Sequence, residues 1–394
     1  MLVTAIEADS IDADAAKMIT APGAPGAEFP AQVAGDVDPM QPPFPDETRE
    51  ITIGKIQIPT RYFLAPLAGY THLAFRQVIR ERGGLGLATT DLVQAVHIVH
   101  KHRKSFELIA TNDVDRPLSV QIYGSKLDEM SKAAKVLQDQ GYSAIDINMG
   151  CPMAKIVGTG GGARLACDAN IAKRLVGAIL ESVSIPVTVK MRLGWDRENL
   201  TAPYLAREFE RLGVAAITIH GRTRAQGFSG RADLSGIKSV VDAVEKIPVV
   251  GNGDVRTVAD AFHMRRVTGC DAVAIGRGAM LDPWLYFRIQ RAHQGLTGPW
   301  DPPAEEQIEF LRRHFYLMLD QHGEERSCVE FRKFGIWYGA RLGIPEDLEK
   351  RMQNFWSVEE FEANIAELRV RHGTRISPIP TADIKVPNGP ISHW

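Results

Sequence analysis

Cysteine is scarce and scattered in this chain, at positions 151, 167, 270 and 328, with no C-x-x-C pair. That excludes a disulfide framework, argues against a structural zinc site, and makes a reducing cytoplasm the expected compartment. No metal site is expected. No apolar run approaches the roughly 20 residues that a membrane span needs, so no membrane association is expected either. The opening residues, Met1 to Asp9, lack a basic region ahead of an apolar segment, so no secretory leader is expected. A large charge imbalance is missing as well: the net charge is −2. That small value conceals an asymmetry. Residues 1–47 hold nine Asp/Glu and one Lys, which leaves the remainder at +6 and able to meet an anionic partner.

What is present is the composition of a globular protein, 44% apolar and 24% charged, over a length that suits one large domain and a smaller one. Residues 1–48, rich in Ala, Pro, Gly and acids and without apolar period, read as a disordered acidic N-terminal extension. From Ile51 one unit repeats: short β-branched run, loop, amphipathic helix. Strands are predicted at Tyr62–Ala65, Leu87–Thr90, Leu118–Ile122, Ala144–Asn148, Val187–Met191, Ala216–His220, Val249–Gly251 and Ala272–Ile275. Helices alternate with them, among them 73–82, 126–140, 169–181, 202–212 and 255–266.

Eight strands alternating with helices predict an α/β fold, a (β/α)8 TIM barrel over 49–290. The competitor, a doubly wound sheet, calls for G-x-G-x-x-G after the first strand, where this chain has Pro66-Leu-Ala-Gly-Tyr-Thr71. Beyond Pro283 the pattern turns helical, predicting a small C-terminal all-helical domain over 304–372 and a flexible tail over 373–394.

In a barrel the working residues sit where strands end. Those places hold Pro66, Leu67 and Ala68; Asp91; Gln121; Asn148 and Cys151; Lys190 and Arg192; His220, Arg222 and Arg224; Asn252, Gly253 and Asp254; Gly276 and Arg277. The last two loops carry glycines, and an arginine follows strand eight, an arrangement suited to phosphate. Lys190 at a barrel mouth is costly to bury without an anion. A flavin would supply one; a Schiff-base lysine is the rival, and spacing leaves both open.

These residues also carry a resemblance. Ala65-Pro-Leu-Ala-Gly69, Val120-Gln-Ile-Tyr-Gly124, Asp146-Ile-Asn-Met-Gly-Cys-Pro152, Val189-Lys-Met-Arg192, Ile219-His-Gly-Arg-Thr223, Gly251-Asn-Gly-Asp254 and Ile275-Gly-Arg-Gly278 resemble, in order, the tRNA-dihydrouridine synthases of bacterial type. Phe331-Arg-Lys-Phe-Gly-Ile-Trp-Tyr338 is similar to the family's carboxyl-terminal domain. The resemblance implies FMN held by Pro66, Leu67, Ala68 and Gln121 around the ring. It places Lys190 and His220 near ring and phosphate, and Asn252, Gly253, Asp254, Gly276 and Arg277 about the phosphate. It implies NADPH (or NADH) as reductant, hydride passing from the flavin to C6 of uracil in tRNA, and Cys151 as proton donor to C5. A donor must stay a thiol, so no strongly depressed pKa is expected of Cys151.

Asn148, Lys155, Arg192, Arg222, Arg224, Arg332 and Lys333 are the expected substrate and RNA contacts, on a barrel segment that carries about +8 beside a helical segment of −3. The protein is expected to be cytoplasmic and monomeric. Two departures stand out: Leu67 replaces the usual methionine, and Asp91 replaces a common glutamate, which leaves any contact of that side chain with FMN or uridine open. Two rival functions remain. One is a flavin oxidoreductase of a free pyrimidine, of dihydroorotate-dehydrogenase kind; the other is a non-catalytic RNA-binding regulator on the same fold.

Overall fold

The computed structural model describes residues 38–44, 49–298, 300–372, 379, 381 and 384. The extension expected over 1–48 and the tail expected over 373–394 otherwise lie outside the described residues.

An antiparallel hairpin, β1 (Ile51–Ile53) and β2 (Ile56–Ile58), precedes the barrel. Eight parallel staves follow: β3 (Tyr62–Leu64), β4 (Ala88–Thr89) continued by β5 (Val93–Gln94), β6 (Leu118–Tyr123), β7 (Ala144–Met149), β8 (Val187–Arg192), β9 (Ala216–His220), β10 (Val249–Asn252) and β11 (Ala272–Ile275). Each stave pairs with the next, and β11 pairs with β3, so the sheet closes. The predicted strands match these within a residue or two. The hairpin escaped prediction, as did the interruption of stave two at Thr90–Leu92.

Strict alternation explains the barrel. In β7, Ile145, Ile147 and Met149 lie in the core under the helices, while Asp146 and Asn148 take the other face. In β8 the apolar set is Val187, Val189 and Met191, and Thr188, Lys190 and Arg192 turn inward. At the amino-terminal end the interior is filled by small apolar side chains, Ala216, Val250, Ala272 and Ala274, on which Ile51, Ile53 and Ile58 of the hairpin pack. The carboxyl-terminal half of the interior is polar. Register then aligns Gln121 with Asp146, Asn148 with Lys190, Arg192 with His220, and His220 with Asn252.

Four helices follow, Ala304–His322, Glu324–Leu342, Glu346–Met352 and Val358–His372. The hydrophobic core runs unbroken from the staves into them. Phe334 lies 5.3 Å from Tyr70 and 5.6 Å from Phe75, ring to ring, which seats Glu324–Leu342 on the loop after β3. Within the expected tail, Ile379 N–H donates to Arg341 O, and Thr381 Oγ1 donates to Arg256 O. Thr381 and Ile384 are buried, so these residues of the segment are packed. No helix among the described residues is long and apolar enough to cross a membrane.

Candidate active site

The polar half of the barrel interior is ordered by hydrogen bonds between neighbouring staves. Asp146 accepts from Gln121 Nε2 at 2.6 Å and from Thr188 Oγ1 at 2.6 Å. Gln121 Oε1 in turn accepts from Asn148 Nδ2 at 2.8 Å. With its amide thus oriented, Asn148 turns Oδ1 to the loop beyond β7, accepting N–H bonds from Gly150 at 3.2 Å and Cys151 at 3.0 Å. Arg192 Nε closes the loop from the far side on Gly150 O, at 2.8 Å. Cys151 is therefore held at a defined place, half-buried.

Burial pushes the Cys151 thiol up, and the nearby cations Arg192 and Lys190 only partly offset that. The side chain stays protonated at neutral pH, the direction expected of a proton donor. In the glycine run that follows, Gly158 and Thr159 are exposed while Gly161 and Gly162 are buried; Ser125 Oγ donates to Thr159 O at 2.6 Å, and Ala163 N–H donates to Cys151 O at 3.1 Å.

Lys190 donates to Asn252 Oδ1 at 3.0 Å, and Asn252 Nδ2 donates to Ala274 O at 2.7 Å. Burial, then repulsion from Arg192, pulls the lysine down to about 8. His220 accepts from Arg222 Nη1 at 3.3 Å. Burial and the surrounding cations Arg192, Lys190, Arg222 and Arg277 hold its imidazole neutral. Arg222 is fully used within the protein, on Ser229 O, Gly230 O and, at 2.6 Å, Asp254 Oδ2. Asp254 also accepts from Ala232 N–H at 2.7 Å. It braces the loop over β10 and thus holds the glycine turn in place.

Gly253 has φ +134°, and a Cβ there would stand 2.6 Å from that of Ala232. Gly278 admits no side chain, since its Cβ would fall 2.1 Å from Val255 O. A Cβ at Gly276 would stand 3.3 Å from Leu67 Cδ2, so the loop after β3 lies against that after β11.

The structure thus brings together Gln121, Asn148, Cys151, Lys190, Arg192, His220, Arg222, Asn252, Gly253, Asp254, Gly276 and Arg277, with Pro66, Leu67 and Ala68 at the rim. Several expected RNA contacts are committed elsewhere. Arg192 Nη1 donates to Thr223 O and Gly227 O. Arg224 stacks on Trp195, 4.5 Å from the ring centre. Arg332 donates twice to Phe355 O and covers Trp356 at 3.9 Å. Lys333 is largely buried and donates to Gly69 O. Lys155, on the short helix Ala154–Val157 beside Cys151, is exposed.

Asp91, left open by its departure from the family pattern, is turned into the protein. It accepts from Gly69 N–H and Leu92 N–H. Phe228 escaped sequence reasoning. It lies 5.2 Å from both the Arg192 and Arg277 guanidiniums, over the mouth. A lone aromatic in Gln-Gly-Phe-Ser carries no periodic signal, so only a barrel-wide alignment of loops could have found it.

The mouth holds Lys190, Arg192, Arg222 and Arg277 against Asp146 and Asp254. An excess of buried cations beside glycine turns and oriented amides fits a ligand with an anionic phosphate and a hydrogen-bonding ring.

Fold and site together define a (β/α)8 barrel whose cationic mouth presents a protonated thiol. A family model described as dihydrouridine synthase (Dus) matches residues 63–371. The chain belongs to the dihydrouridine synthase family. A probable tRNA-dihydrouridine synthase of Rickettsia bellii is 37% identical over 304 residues, covering 76% of this chain and 91% of the relative. That of Rhizobium leguminosarum bv. phaseoli is 39% identical over 288 residues, covering 73% and 87%. That of Mycobacterium tuberculosis H37Rv is 35% identical over 298 residues, covering 73% and 77%.

Proposed function

We propose that this chain is a tRNA-dihydrouridine synthase that binds FMN at the barrel mouth and reduces the 5,6 double bond of uracil in tRNA, with NADPH or NADH as reductant. The observation that carries this reading is the placement of Cys151 at the mouth beyond β7, where Asn148 and Arg192 brace its loop beside Lys190. Pro66, Leu67, Ala68 and Gln121 flank the ring in this reading. Lys190 and neutral His220 lie near ring and phosphate in the same reading, and Asn252, Gly253, Gly276 and Arg277 receive the phosphate; Asp254 holds their loop. Bound and reduced, FMN supplies the hydride for uracil C6.

Cys151 Sγ–H supplies the proton for C5, and the thiolate that remains is met by Arg192 and Lys190, the two cations that favour it. Uridine inside folded tRNA is out of reach of a barrel mouth, so the base is extruded into it. Exposed Lys155 and Arg164 flank the entrance and suit the RNA backbone.

Cys151→Ala tests the assignment. The variant is expected to bind FMN and accept electrons from NADPH at wild-type rates while losing uridine reduction about 10²-fold or more. Near-normal turnover on tRNA would refute the proton-donor role, and reduction of free pyrimidine without RNA would favour the small-molecule reading. Mapping dihydrouridine across tRNAs of a deletion strain identifies the positions served.

A further inference from the structure

We infer that Lys333, from the helical region, is a positioning residue for the loop 65–71 at the cofactor site, so that the C-terminal helices complete the flavin site itself. The inference rests on the reading that Pro66, Leu67 and Ala68 flank FMN.

The backbone of Gly69, next to those residues, is gripped from two directions. Its N–H donates to Asp91 Oδ2 at 2.5 Å, from the interruption in stave two. Its carbonyl accepts from Lys333 Nζ, a residue 264 positions away on Glu324–Leu342. Gly69 is in the left-handed region, φ +74°, where a glycine is needed and where local backbone preference does little to hold one conformation. At the start of the loop Ala65 N–H donates to Ile275 O at 2.9 Å; beyond it the backbone N–H bonds other than that of Gly69 are local, Tyr70 N–H to Leu67 O at 2.9 Å and Leu67 N–H to Thr71 Oγ1 at 3.2 Å. The grip on Gly69 ties this short turn to stave two and to the helical region.

Both partners are withdrawn from water. Asp91 is 5% exposed, and its second oxygen accepts from Leu92 N–H at 2.7 Å. The Lys333 ammonium lies 5.0 Å from the Tyr70 ring centre and 5.6 Å from that of Phe334. A half-buried ammonium and a buried carboxylate on one residue's backbone make charge-assisted hydrogen bonds stronger than neutral ones.

Burial pushes Asp91 up to about 6 and Lys333 down to about 8, so both are charged at neutral pH. Glu330, Asp91 and Arg326 act on the lysine; Lys333 and Arg76 act on the aspartate. Adjacent His72 and His314 are held neutral by burial, and Tyr123 and Cys151, near Asp91, are held protonated. Lys333 is thus mostly neutral at pH 9, where its bond to Gly69 O loses its charge assistance.

The test is FMN affinity of the full chain, followed by flavin fluorescence. Lys333→Met keeps the apolar stem and removes the ammonium; its Kd for FMN should rise about tenfold at pH 7, the worth of one charge-assisted hydrogen bond. The affinity of the FMN-saturated variant for tRNA should stay within about twofold of wild type. Lys333→Arg keeps a cation at every pH used. Between pH 7 and 9 the wild type should lose several-fold more FMN affinity than Lys333→Arg, whereas Lys190 titrates alike in both.

A Lys333→Met variant that binds FMN as wild type does, or that loses only tRNA, would overturn the inference and make Lys333 an RNA contact. Identical pH profiles of wild type and Lys333→Arg would overturn it too, and decide the matter if Lys333→Met does not fold. A wild-type chain that binds no FMN would remove the cofactor reading itself, a distinct result.

Discussion

Replacing Asn148 by alanine separates the two halves of the proposed reaction. Asn148 Oδ1 accepts the N–H groups of Gly150 and Cys151 at 3.2 and 3.0 Å, and these bonds set where the thiol stands. At about 1 kcal/mol net each, the pair contributes about 2 kcal/mol to holding the loop. If that energy serves to place the thiol in the transition state, its loss slows uridine reduction about 30-fold.

The variant also removes the 2.8 Å bond to Gln121, which still donates to Asp146. FMN affinity should therefore fall no more than about fivefold, the worth of one neutral hydrogen bond. The assay is anaerobic, with the flavin absorbance followed through reduction by NADPH and then reoxidation by tRNA. Reduction should keep its wild-type rate, and reoxidation should slow. Reoxidation within about twofold of wild type, or an equal slowing of both phases, would refute the claim that Asn148 works by placing Cys151.

Two further perturbations test the architecture. Gly278→Ala places a Cβ 2.1 Å from Val255 O, a backbone atom just ahead of Arg256, and should cost at least about 1–3 kcal/mol with weaker FMN binding; an unchanged urea midpoint would contradict the packing. His314 is buried, bonded to Tyr338 OH at 2.9 Å, and its pKa is pulled down to about 3 by burial and then by Lys333. The unfolded chain takes up that proton near 6.5 and the folded chain does not, so stability is present above 6.5 and falls as the pH drops toward 3, by up to about 1.4 kcal/mol per pH unit. His314→Phe should therefore be less stable at pH 7 yet less acid-sensitive; urea midpoints from pH 7 to 4 with the same slope as wild type would refute this.

Much of the site was legible because barrel strands are short and strictly alternating. In Ile145-Asp-Ile-Asn-Met149 the apolar residues have to lie under the helices, which leaves Asp146 and Asn148 for the interior, and the loop after such a strand is where a thiol can work. The same logic found Lys190, His220 and Asn252 without knowing their partners. It could not supply the partners that each side chain meets within the protein. Asp254 counted as part of the phosphate cradle until Arg222 and Ala232 accounted for its carboxylate. Arg192 and Arg222 are expected RNA contacts whose partners within the protein, loop carbonyls for Arg192 and the Asp254 carboxylate, His220 and two loop carbonyls for Arg222, were not legible. Phe228 and the hairpin Ile51–Ile58 were invisible because a loop aromatic and two three-residue strands carry too little period to register.

The sequence by itself determined the staves, the helices, the polar half of the barrel and the thiol, since each follows from local periodicity and from what a strand end can hold. Only the tertiary structure decided which cations are available to a ligand and which are consumed. Lys333 reaches Gly69 across 264 residues, and Arg192 reaches Gly150 across 42. A cationic side chain reads the same in sequence whether it faces RNA or a buried carbonyl. The difference lies in desolvation and in hydrogen-bond partners that exist only once distant segments meet.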